Sequence, residues 1–422
     1  MLEFLNRYLC GIFLPVMLVL VGIFFAIRLK LFYIFHPIRL IKDMSKGGFK
    51  SLSVALAGTL GVGNIVGVAS ALISGGAGAI FWMWVSAFIA MSLKYCEVCL
   101  AMKYRRVKNN GEHYGGAPYY ICDGLKKKYG LKLARLFSVI FALLCTINSL
   151  TTGNLVQINA VSNLTSFPKI YVGIFFAVLI LFVILGGTKR ISSFSTIIIP
   201  ILSVFYVVMS VYIIFSNLSQ IPSVFALIFK EAFSLRCAIS GFYGYGIMSA
   251  IRFGVSRGLL SNEAGCGTSP TAHASSNTQS IHSQGCLGIF EVFVDTIILC
   301  TLTALVILLY KKSSDNSMTL VISAYEYFTY KIGKYGIIIA SLLFALATIA
   351  CQYYYGVESL GYITKGSCAK FVFTIIFLIV IVIGAVIPMS LMWQISDLVL
   401  GLMAIFNLFC LLILRNEISK TP

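Results

Sequence analysis

Long apolar runs recur along the chain, and short polar segments separate them. A run of about 20 mostly apolar residues can cross the hydrocarbon core of a membrane as one α-helix. Eleven runs qualify, at roughly 9–30, 50–73, 77–101, 134–160, 169–188, 193–216, 236–260, 285–310, 334–360, 369–389 and 393–414. The pattern therefore predicts an all-α polytopic membrane protein with eleven transmembrane helices.

Composition indicates the same class of protein. Of the 422 residues, 59% are apolar and 11% are charged, whereas soluble domains have about 45–50% apolar and about 25% charged residues. Most of the surface of such a chain needs lipid as its solvent. This excludes a water-soluble enzyme, a coiled coil and a disordered protein, and it makes the lipid bilayer the first expected partner.

The net charge of +18 gives the predicted helices an orientation. Lys and Arg concentrate between alternate pairs of apolar runs, for example in residues 28–50 and 103–135. Because cytoplasmic loops carry the excess of basic residues, the N-terminus is predicted to lie outside and the C-terminus in the cytoplasm. The apolar runs leave no continuous basic surface, so nucleic-acid binding is not predicted.

Eleven helices divide into one extra N-terminal helix and two sets of five. The predicted units are 1–49, a transmembrane helix with a cytoplasmic amphipathic linker; 50–216 and 217–414, two inverted five-helix repeats; and 415–422, a cytoplasmic tail. The second and seventh runs then hold equivalent positions, and both contain glycine-rich segments, 58–67 and 240–246. Glycine-interrupted helices in corresponding positions of two halves point to the binding site of a secondary transporter.

Asn64 lies in the first of these glycine-rich segments. A helix that breaks at membrane depth leaves backbone groups that must find new partners. Freed N–H groups suit a carboxylate, and freed carbonyls suit Na⁺. The alternative is close helix packing, because Gly63 and Gly67 also form a G-x-x-x-G face. An amide at position 64 favours a binding site, since packing alone does not need it.

Ionisable residues inside membrane helices are costly and are therefore candidates for function. Lys94 and Glu97 are three residues apart and are predicted to pair on one helix face. The polar stretch after the seventh run is either a solvated loop or a gate in which Glu263 pairs with Arg252 or Arg257.

Three further carboxylates, Glu291, Asp295 and Asp397, fall within the later runs. Glu291 and Asp295 are four residues apart and share a helix face. The carboxylates and histidines form no recognisable nucleophile–base or transition-metal motif, and no Walker-type ATP-binding motif occurs. The sequence therefore predicts neither an enzyme nor an ATP-driven pump.

Several motifs together resemble the alanine/glycine:cation symporter family. They are the G-V-G-N-I segment 61–65, the tryptophan-containing segment 75–85, G-G-A-P-Y-Y at 115–120, R-F-G-V-S-R-G at 252–258, S-N-E-A-G at 261–265 and G-L-M-A-I at 401–405. The resemblance covers about residues 9–414. It implies sodium-coupled uptake of small amino acids on a LeuT-like 5+5 inverted-repeat fold with one extra N-terminal helix.

The resemblance also implies the residues of a binding site. In related transporters, backbone amides of the broken first core helix bind the substrate carboxylate, and its carbonyls face sodium. The implied substrate-binding residues are Val62, Gly63, Asn64, Gln157, Phe242, Tyr243, Gly244 and Gln352. The implied sodium ligands are Ala57, Thr59, Leu60, Asn64 and Thr348.

The chain departs from the family pattern at four positions. Val62 and Ala347 stand where threonines are common, so the sequence predicts a weaker or altered Na⁺ dependence. Gln352 replaces a common tryptophan, which predicts a substrate larger or more polar than alanine, such as serine or glutamine. Glu291 stands where a glycine is usual.

The predicted function is a secondary active symporter that takes up a small neutral amino acid with Na⁺ by alternating access. Alanine, glycine, serine and glutamine are the expected substrates, and Na⁺ is the coupling ion without any further cofactor. Two alternatives stay open: a proton-coupled transporter, and a receptor that binds an amino acid without moving it. The predicted location is the inner membrane of a bacterial cell, and the predicted state is a monomer.

Overall fold

The computed structural model describes residues 2–165, 167–234, 246–312, 314 and 316–418. In these ranges the chain is mostly helical, with one small hairpin of β1 (Arg106–Val107) and β2 (His113–Tyr114). The helices are α1 (Leu2–Tyr8), α2 (Leu14–Arg28), α3 (Phe32–Phe35), α4 (Pro37–Met44), α5 (Phe49–Thr59), α6 (Val66–Gly75), α7 (Gly78–Lys103), α8 (Ala117–Leu150), α9 (Val156–Ser162), α10 (Lys169–Leu185), α11 (Gly187–Ser216), α12 (Ile221–Ala232), α13 (Ile247–Asn262), α14 (Pro270–Ala274), α15 (Ile281–Val292), α16 (Thr301–Tyr310), α17 (Ser317–Ile363), α18 (Ser367–Val386) and α19 (Met389–Ile413).

Three π-helical segments continue helices instead of ending them. Leu9–Phe13 joins α1 to α2, Thr151–Leu155 joins α8 to α9, and Phe293–Cys300 joins α15 to α16. A π-helical segment widens the turn and re-aims the side chains on it, and such segments often occur at functional sites. The second and third of these segments lie beside the site described below.

Eight helical stretches of the described residues are long and apolar enough to cross a membrane, and the bent pair of α5 and α6 makes a ninth. The shorter helices α10, of 17 residues, and α13, of 16, overlap the other two predicted runs. The prediction of a polytopic membrane protein is confirmed in its coarser form: the chain is mostly helical and has eight or nine candidate membrane spans among the described residues. Part of the seventh run lies outside the described residues, and the total of eleven spans and the 5+5 repeat stay predictions.

Large apolar side chains point away from the bundle on α10 and α11. Phe175 and Phe182 on α10 are 60% and 59% exposed, and Val204 and Val208 on α11 are 63% and 62% exposed. Water would penalise such a surface, whereas lipid tails solvate it. These helices therefore have the surface of membrane-embedded elements.

The amphipathic helix α12 was not predicted as a separate element, and it packs against the start of α7. The Ala77 N–H donates to Glu231 Oε2 at 2.8 Å, and Trp82 Nε1 donates to the Ala232 carbonyl at 3.0 Å. The carboxylate thus binds an N–H that the beginning of α7 leaves without a helical partner. Trp82 of the tryptophan-containing segment has a structural role in this contact.

Helices α7 and α13 approach each other closely at Gly254. A Cβ atom there would overlap the Ala79 carbonyl oxygen and would lie 2.9 Å from Trp82 Cβ. Small residues permit such close approach of membrane helices, where dispersion contacts replace the hydrophobic effect as the source of association. This contact fixes α13, whose C-terminal end forms part of the site.

A depression of ≈ 690 Å³ opens at one end of the bundle. It lies where several predicted cytoplasmic segments meet, and its lining includes both polar and charged side chains. The lining residues fall in 47–51, 108–114, 189–193 and 275–278, together with Val54, Tyr354 and Glu358. Segments that the charge pattern assigns to the same side of the membrane are therefore neighbours in the structure.

The close contact at Gly254 leads to a stability prediction. We expect Gly254→Ala to destabilise the protein by about 1–3 kcal/mol, because the added methyl group overpacks the α7–α13 contact. The matched control is Gly361→Ala in α17, where an added Cβ meets no atom within 4 Å, and where alanine favours the helix by up to about 1 kcal/mol. Thermal unfolding of the purified variants checks this expectation, and equal melting temperatures for the two would contradict it.

Candidate functional site

The first core helix breaks between α5 and α6. Its two halves, Phe49–Thr59 and Val66–Gly75 with the preceding 3₁₀ turn Val62–Asn64, are bent by 59° relative to each other. Gly61 adopts an extended conformation at the break, with φ −126° and ψ −158°. Its N–H donates back to the Thr59 carbonyl at 2.9 Å. The break predicted from the glycine-rich segment is therefore present.

Two polar side chains from other helices lie directly against Gly61. A Cβ atom at this position would be 2.6 Å from Gln157 Oε1 and 2.7 Å from Thr348 Oγ1. Any residue other than glycine would displace these two side chains. The glycine thus permits α9 and α17 to place polar groups against the exposed backbone of the break.

Gln157 binds the backbone of the break. The Val62 N–H donates to Gln157 Oε1 at 2.9 Å, and both groups are buried. This bond satisfies an N–H group at the start of the second half-helix, which has no helical partner. The structure therefore places Gln157 beside Val62, as the family resemblance implied, while its contact with a substrate stays a prediction.

On the carbonyl side of the break, Thr348 meets Leu60. The Thr348 hydroxyl donates to the Leu60 carbonyl at 3.2 Å. The Thr59 hydroxyl instead binds carbonyls of its own helix, Ala55 at 3.3 Å and Leu56 at 3.4 Å. Of the implied sodium ligands, the Leu60 carbonyl and the Thr348 hydroxyl are thus adjacent oxygens.

The Asn64 side chain is buried and faces two elements of the second half of the chain. Its Nδ2 donates to Ser261 Oγ at 3.0 Å, to the Asp295 carbonyl at 3.0 Å and to Asp295 Oδ1 at 2.8 Å. Its Oδ1 has no hydrogen-bond partner among the described residues. A buried amide oxygen without a partner is costly, so this atom is available to a ligand.

Asp295 is a site residue whose place the sequence did not reveal. It lies on the π-helical segment Phe293–Cys300, is fully buried, and also accepts hydrogen bonds from Ser261 Oγ at 2.6 Å and Thr296 Oγ1 at 2.8 Å. Every one of these donors is neutral. Within the described ranges, the carboxylate therefore lacks a cationic partner in hydrogen-bond contact. The sequence showed that Asp295 is a carboxylate within an apolar run. It did not show which residues lie next to that carboxylate in the folded protein.

A second helix interruption faces the first. α13 ends at Asn262, Glu263 has a left-handed conformation with φ 49°, and the chain turns again at Gly265 and Gly267 before α14 begins. A Cβ on Gly63 would lie 3.6 Å from Ser261 Cα, so the two interruptions are in close contact. This is also the close glycine packing that the G-x-x-x-G pattern offered as an alternative.

The sequence predicted the second break and the opposite wall of the site elsewhere, at 240–246. Those residues, with the predicted site residues Phe242, Tyr243 and Gly244, lie outside the described residues except for Gly246. In the described part of the chain, the interruption at 263–269 forms the opposite wall of the site. Its two left-handed glycines and Pro270 were the available signal in the sequence.

Gln352 connects the two interruptions. Its Nε2 donates to the Gly58 carbonyl at 3.2 Å and to Glu263 Oε1 at 3.0 Å. Its Oε1 is buried and has no partner among the described residues. The side chain packs on Gly153, where an added Cβ would lie 2.5 Å from Gln352 Cβ. Gln352 therefore forms a hydrogen-bonded bridge at the position where the family pattern commonly has a tryptophan ring.

The predicted pairing of Glu263 with Arg252 or Arg257 is wrong in this structure. Arg257 pairs with Asp397, at 2.7 and 3.1 Å, and its guanidinium lies 4.2 Å from the centre of the Trp393 ring. Glu263 is bound by Gln352 and Thr268 instead of an arginine. Residues 257–274 of the polar stretch are thus an ordered, buried part of the bundle, and exposed positions such as Asn277 and Gln279 follow them.

Lys94 likewise does not pair with Glu97 on its own helix. Lys94 Nζ lies 3.3 Å from Glu291 Oε1, and both side chains are fully buried. Glu97 accepts hydrogen bonds from Asn407 Nδ2 at 2.5 Å and from the Gly265 N–H at 3.2 Å. Tertiary contacts with α15 and α19 replace the local pairing, because they satisfy both buried groups at once.

A closed crevice lies beside the first break, between the break, α11, α17 and the π-helical segment Phe293–Cys300. It encloses ≈ 180 Å³ of atom-free space, none of it wide enough for a water molecule. Its lining combines backbone of the break with aromatic and aliphatic side chains: Leu60, Gly61, Asn64, Ile65, Tyr206, Leu299 and Phe344. A ligand therefore enters only after the surrounding helices move.

Comparison with known proteins gives one family. Residues 1–421 match the model of the sodium:alanine symporter family. A sodium/alanine symporter of Methanococcus maripaludis is 36% identical over 382 residues, which cover 88% of this chain and 82% of the relative. A probable sodium/glutamine symporter of Bacillus subtilis is 34% identical over 377 residues, covering 88% of this chain and 76% of the relative.

Among solved structures, the chain is similar to a Na⁺-coupled sialic acid symporter in a substrate-bound outward-open state. The TM-score is 0.53 at 14% sequence identity, and the match covers 99% of this chain and 84% of the other. At this identity the similarity concerns the fold alone. It places the chain among proteins with a LeuT-like transporter fold.

The position of Asn64 leads to a binding prediction. We expect Asn64→Ala to weaken amino-acid binding by about 5- to 150-fold, because the loss of a buried polar contact costs about 1–3 kcal/mol. Asn163→Ala is the control, since its amide bonds locally to the Asn159 carbonyl at 2.8 Å. Equilibrium binding of labelled alanine to the purified variants gives the answer. Equal affinities for the two would refute a role of Asn64 in the site.

Proposed function

The chain belongs to the sodium:alanine symporter family, and on this basis we propose that it takes up a small neutral amino acid with Na⁺ by alternating access. The observation that carries the proposal is the contact between the two helix interruptions, where Asn64 binds Asp295. Backbone groups and a buried carboxylate at this point match the two charges of an amino acid. The family and its relatives are transporters and not enzymes.

The N-terminal end of the second half-helix is the proposed position of the substrate carboxylate. The 3₁₀ turn Val62–Asn64 begins there, and N–H groups at a helix start bind anions. Gln157 occupies the Val62 N–H in this structure, so we propose that substrate and Gln157 exchange places on this group. Gly63 leaves the backbone accessible, because it carries no side chain.

Asp295 is proposed to provide the negative charge for the positively charged partner. A buried carboxylate with only neutral donors is stabilised by a cation that binds next to it. The partner is either the ammonium group of the substrate or a sodium ion, and the unpartnered Asn64 Oδ1 is a second oxygen for it. Binding of the cation and the anion at the two interruptions would then draw them together.

The proposed sodium site lies on the carbonyl side of the first break. The Leu60 carbonyl and the Thr348 hydroxyl are adjacent, and the carbonyls of Ala57 and Thr59 are the further proposed ligands. Na⁺ is a hard cation that prefers such oxygen ligands. Val62 and Ala347 lack hydroxyl groups, so we propose a weaker or altered Na⁺ dependence.

The depression at the predicted cytoplasmic end is the proposed exit route. It reaches Ser51 and Val54 on α5 and Tyr354 on α17. Gln352 and Gly58, which bond to each other, lie on the same two helices closer to the break. Separation of α5 from α17 would connect the depression to the crevice. The N-terminus outside, the C-terminus in the cytoplasm and a bacterial inner membrane remain part of this proposal.

Uptake into proteoliposomes tests the proposed function. We expect labelled alanine, glycine, serine or glutamine to accumulate when an inward Na⁺ gradient is present and not when Na⁺ is equal on both sides. Accumulation that follows a proton gradient and ignores Na⁺ would instead favour the proton-coupled alternative. Binding without accumulation under either gradient would favour the receptor alternative.

Thr348 gives a prediction for the coupling ion. We expect Thr348→Val to raise the Na⁺ concentration for half-maximal uptake about tenfold, because a lost oxygen ligand worth about 1.4 kcal/mol changes affinity by this factor. Thr348→Ser keeps the hydroxyl and is the matched control. The Na⁺ dependence of alanine uptake measures both, and identical curves for valine and serine would remove Thr348 from the sodium site.

Gln352 gives a prediction for the substrate. A site that hydrogen-bonds a substrate group discriminates more strongly than an apolar pocket, and Gln352 Oε1 is a buried acceptor without a partner. We expect Gln352→Leu to lower the ratio of glutamine to alanine uptake about tenfold or more. Because the ratio of glutamine to alanine uptake is taken within one variant, it controls for the expression level and for the loss of the bond to Glu263. An unchanged ratio would show that this position does not set specificity.

A further inference from the structure

A chain of buried hydrogen bonds connects the beginning of α5 with α14 and α15. The Gly48 N–H donates to Gln284 Oε1 at 2.9 Å. Gln284 Nε2 lies 2.8 Å from Ser51 Oγ and 2.7 Å from His273 Nδ1. His273 Nε2 lies 3.0 Å from Glu291 Oε2. We call these five residues together the relay: Gly48, Ser51, Gln284, His273 and Glu291.

The backbone N–H of Gly48 determines where the protons of the relay lie. An N–H can only donate, so the atom of Gln284 that it meets is the amide oxygen. The amide nitrogen of Gln284 then faces the imidazole and donates to Nδ1. Nδ1 therefore has no proton, and Nε2 carries the single ring proton and donates it to Glu291. As long as α5 holds Gln284 in this orientation, His273 is neutral.

The surroundings of His273 contain more negative than positive groups. Lys94 binds Glu291 at 3.3 Å and Ser269 at 2.7 Å. Glu97 and Glu263 are also within electrostatic range of Lys94, and all of these charged side chains are buried. Three carboxylates facing one lysine leave uncompensated charge in a medium of low dielectric constant, which is costly unless protons are bound.

Further ionisable residues lie on the elements packed against α14. α14 packs against α5, α7, α17 and β2, and it bonds to α15. The ionisable residues on these elements include Lys50, Lys94, Glu97, Tyr354, Tyr355, His113, Tyr114 and Glu291. Glu291 bonds the imidazole directly, and Lys94 reaches it through Glu291.

We propose that His273 is a proton-binding site whose occupancy is linked to the position of α5. When α5 moves away, the Gly48 N–H leaves Gln284 Oε1 and the amide is free to turn. The amide oxygen then faces Nδ1, which takes one proton from water and donates it to that oxygen. The imidazolium so formed lies between Gln284 and Glu291. When α5 returns, the Gly48 N–H turns the amide back and Nδ1 gives up its proton to water.

The direction of the linkage follows from this geometry. The doubly protonated imidazole exists only while α5 is displaced, so acid stabilises the displaced state and alkali stabilises the docked state. One proton bound per transition raises the displacement equilibrium by up to about tenfold for each unit of pH decrease. The proton site is separate from the proposed sodium site. Its operation does not depend on which amino acid the protein carries.

Hydrogen–deuterium exchange of the purified full-length protein tests the inference without any transport. We expect exchange in peptides that cover residues 48–59, normalised to intrinsic rates, to increase as the pH falls from about 8 to about 5, the range in which histidine titrates. His273→Gln should abolish this increase. His282→Gln should retain it, because His282 bonds Tyr95 and Asp43 outside the relay. A pH-independent wild type, or a normal pH response in His273→Gln, would overturn the inference.

Gln284→Glu is a second variant that does not depend on how well His273→Gln folds. A carboxylate at this position still accepts the Gly48 N–H but cannot donate to Nδ1, and it stabilises the imidazolium. The docked state then accommodates the imidazolium, so we expect exchange in peptides 48–59 to lose its increase at low pH. A pH response equal to that of the wild type, in a variant with the same melting temperature, would equally overturn the inference.

Discussion

A broken helix inside a membrane must find partners for its freed backbone groups, and the candidate site is built around this requirement. Lipid supplies no hydrogen bonds, so each unpaired N–H or C=O costs several kcal/mol. The Gly58 carbonyl, the Leu60 carbonyl and the Val62 N–H are met by side chains from other helices, namely Gln352, Thr348 and Gln157. These bonds fix how α9 and α17 pack against the break. The same backbone groups are the ones that the proposed substrate and sodium ion would bind.

Buried charge divides the interior into two regions with different properties. Asp295 lies beside the helix interruptions and is bound by neutral donors within the described ranges. In the proposed mechanism its negative charge stabilises a cation that binds and then dissociates. Glu291, one helical turn earlier, is held by Lys94 and His273, and its charge is balanced inside the protein. The two carboxylates are four residues apart, yet the residues on the facing helices give them different partners, and in the proposed mechanism they therefore have different roles.

The closed crevice and the open depression agree with a carrier whose binding site is reached by helix movement. α5 contributes to both, since it ends at the break and begins at the relay. A displacement of this one helix would open the crevice towards the depression and would release Gln284 from Gly48. In the proposed mechanism, ligand binding at one end of α5 and proton binding at the other would be coupled through a rigid element with two positions.

The sequence alone determined the class of protein, the approximate spans, the family and the position of the first break. The length of an apolar run and a cluster of glycines are local properties of the sequence. In a lipid bilayer these local properties determine where a helix spans the membrane and where it breaks. Only the tertiary structure showed that Lys94 pairs with Glu291 instead of Glu97, that Arg257 pairs with Asp397, and that 263–269 faces the break. The reason is physical: a buried charge takes the partner that satisfies it best in three dimensions, and spacing along one helix does not reveal what the neighbouring helices present.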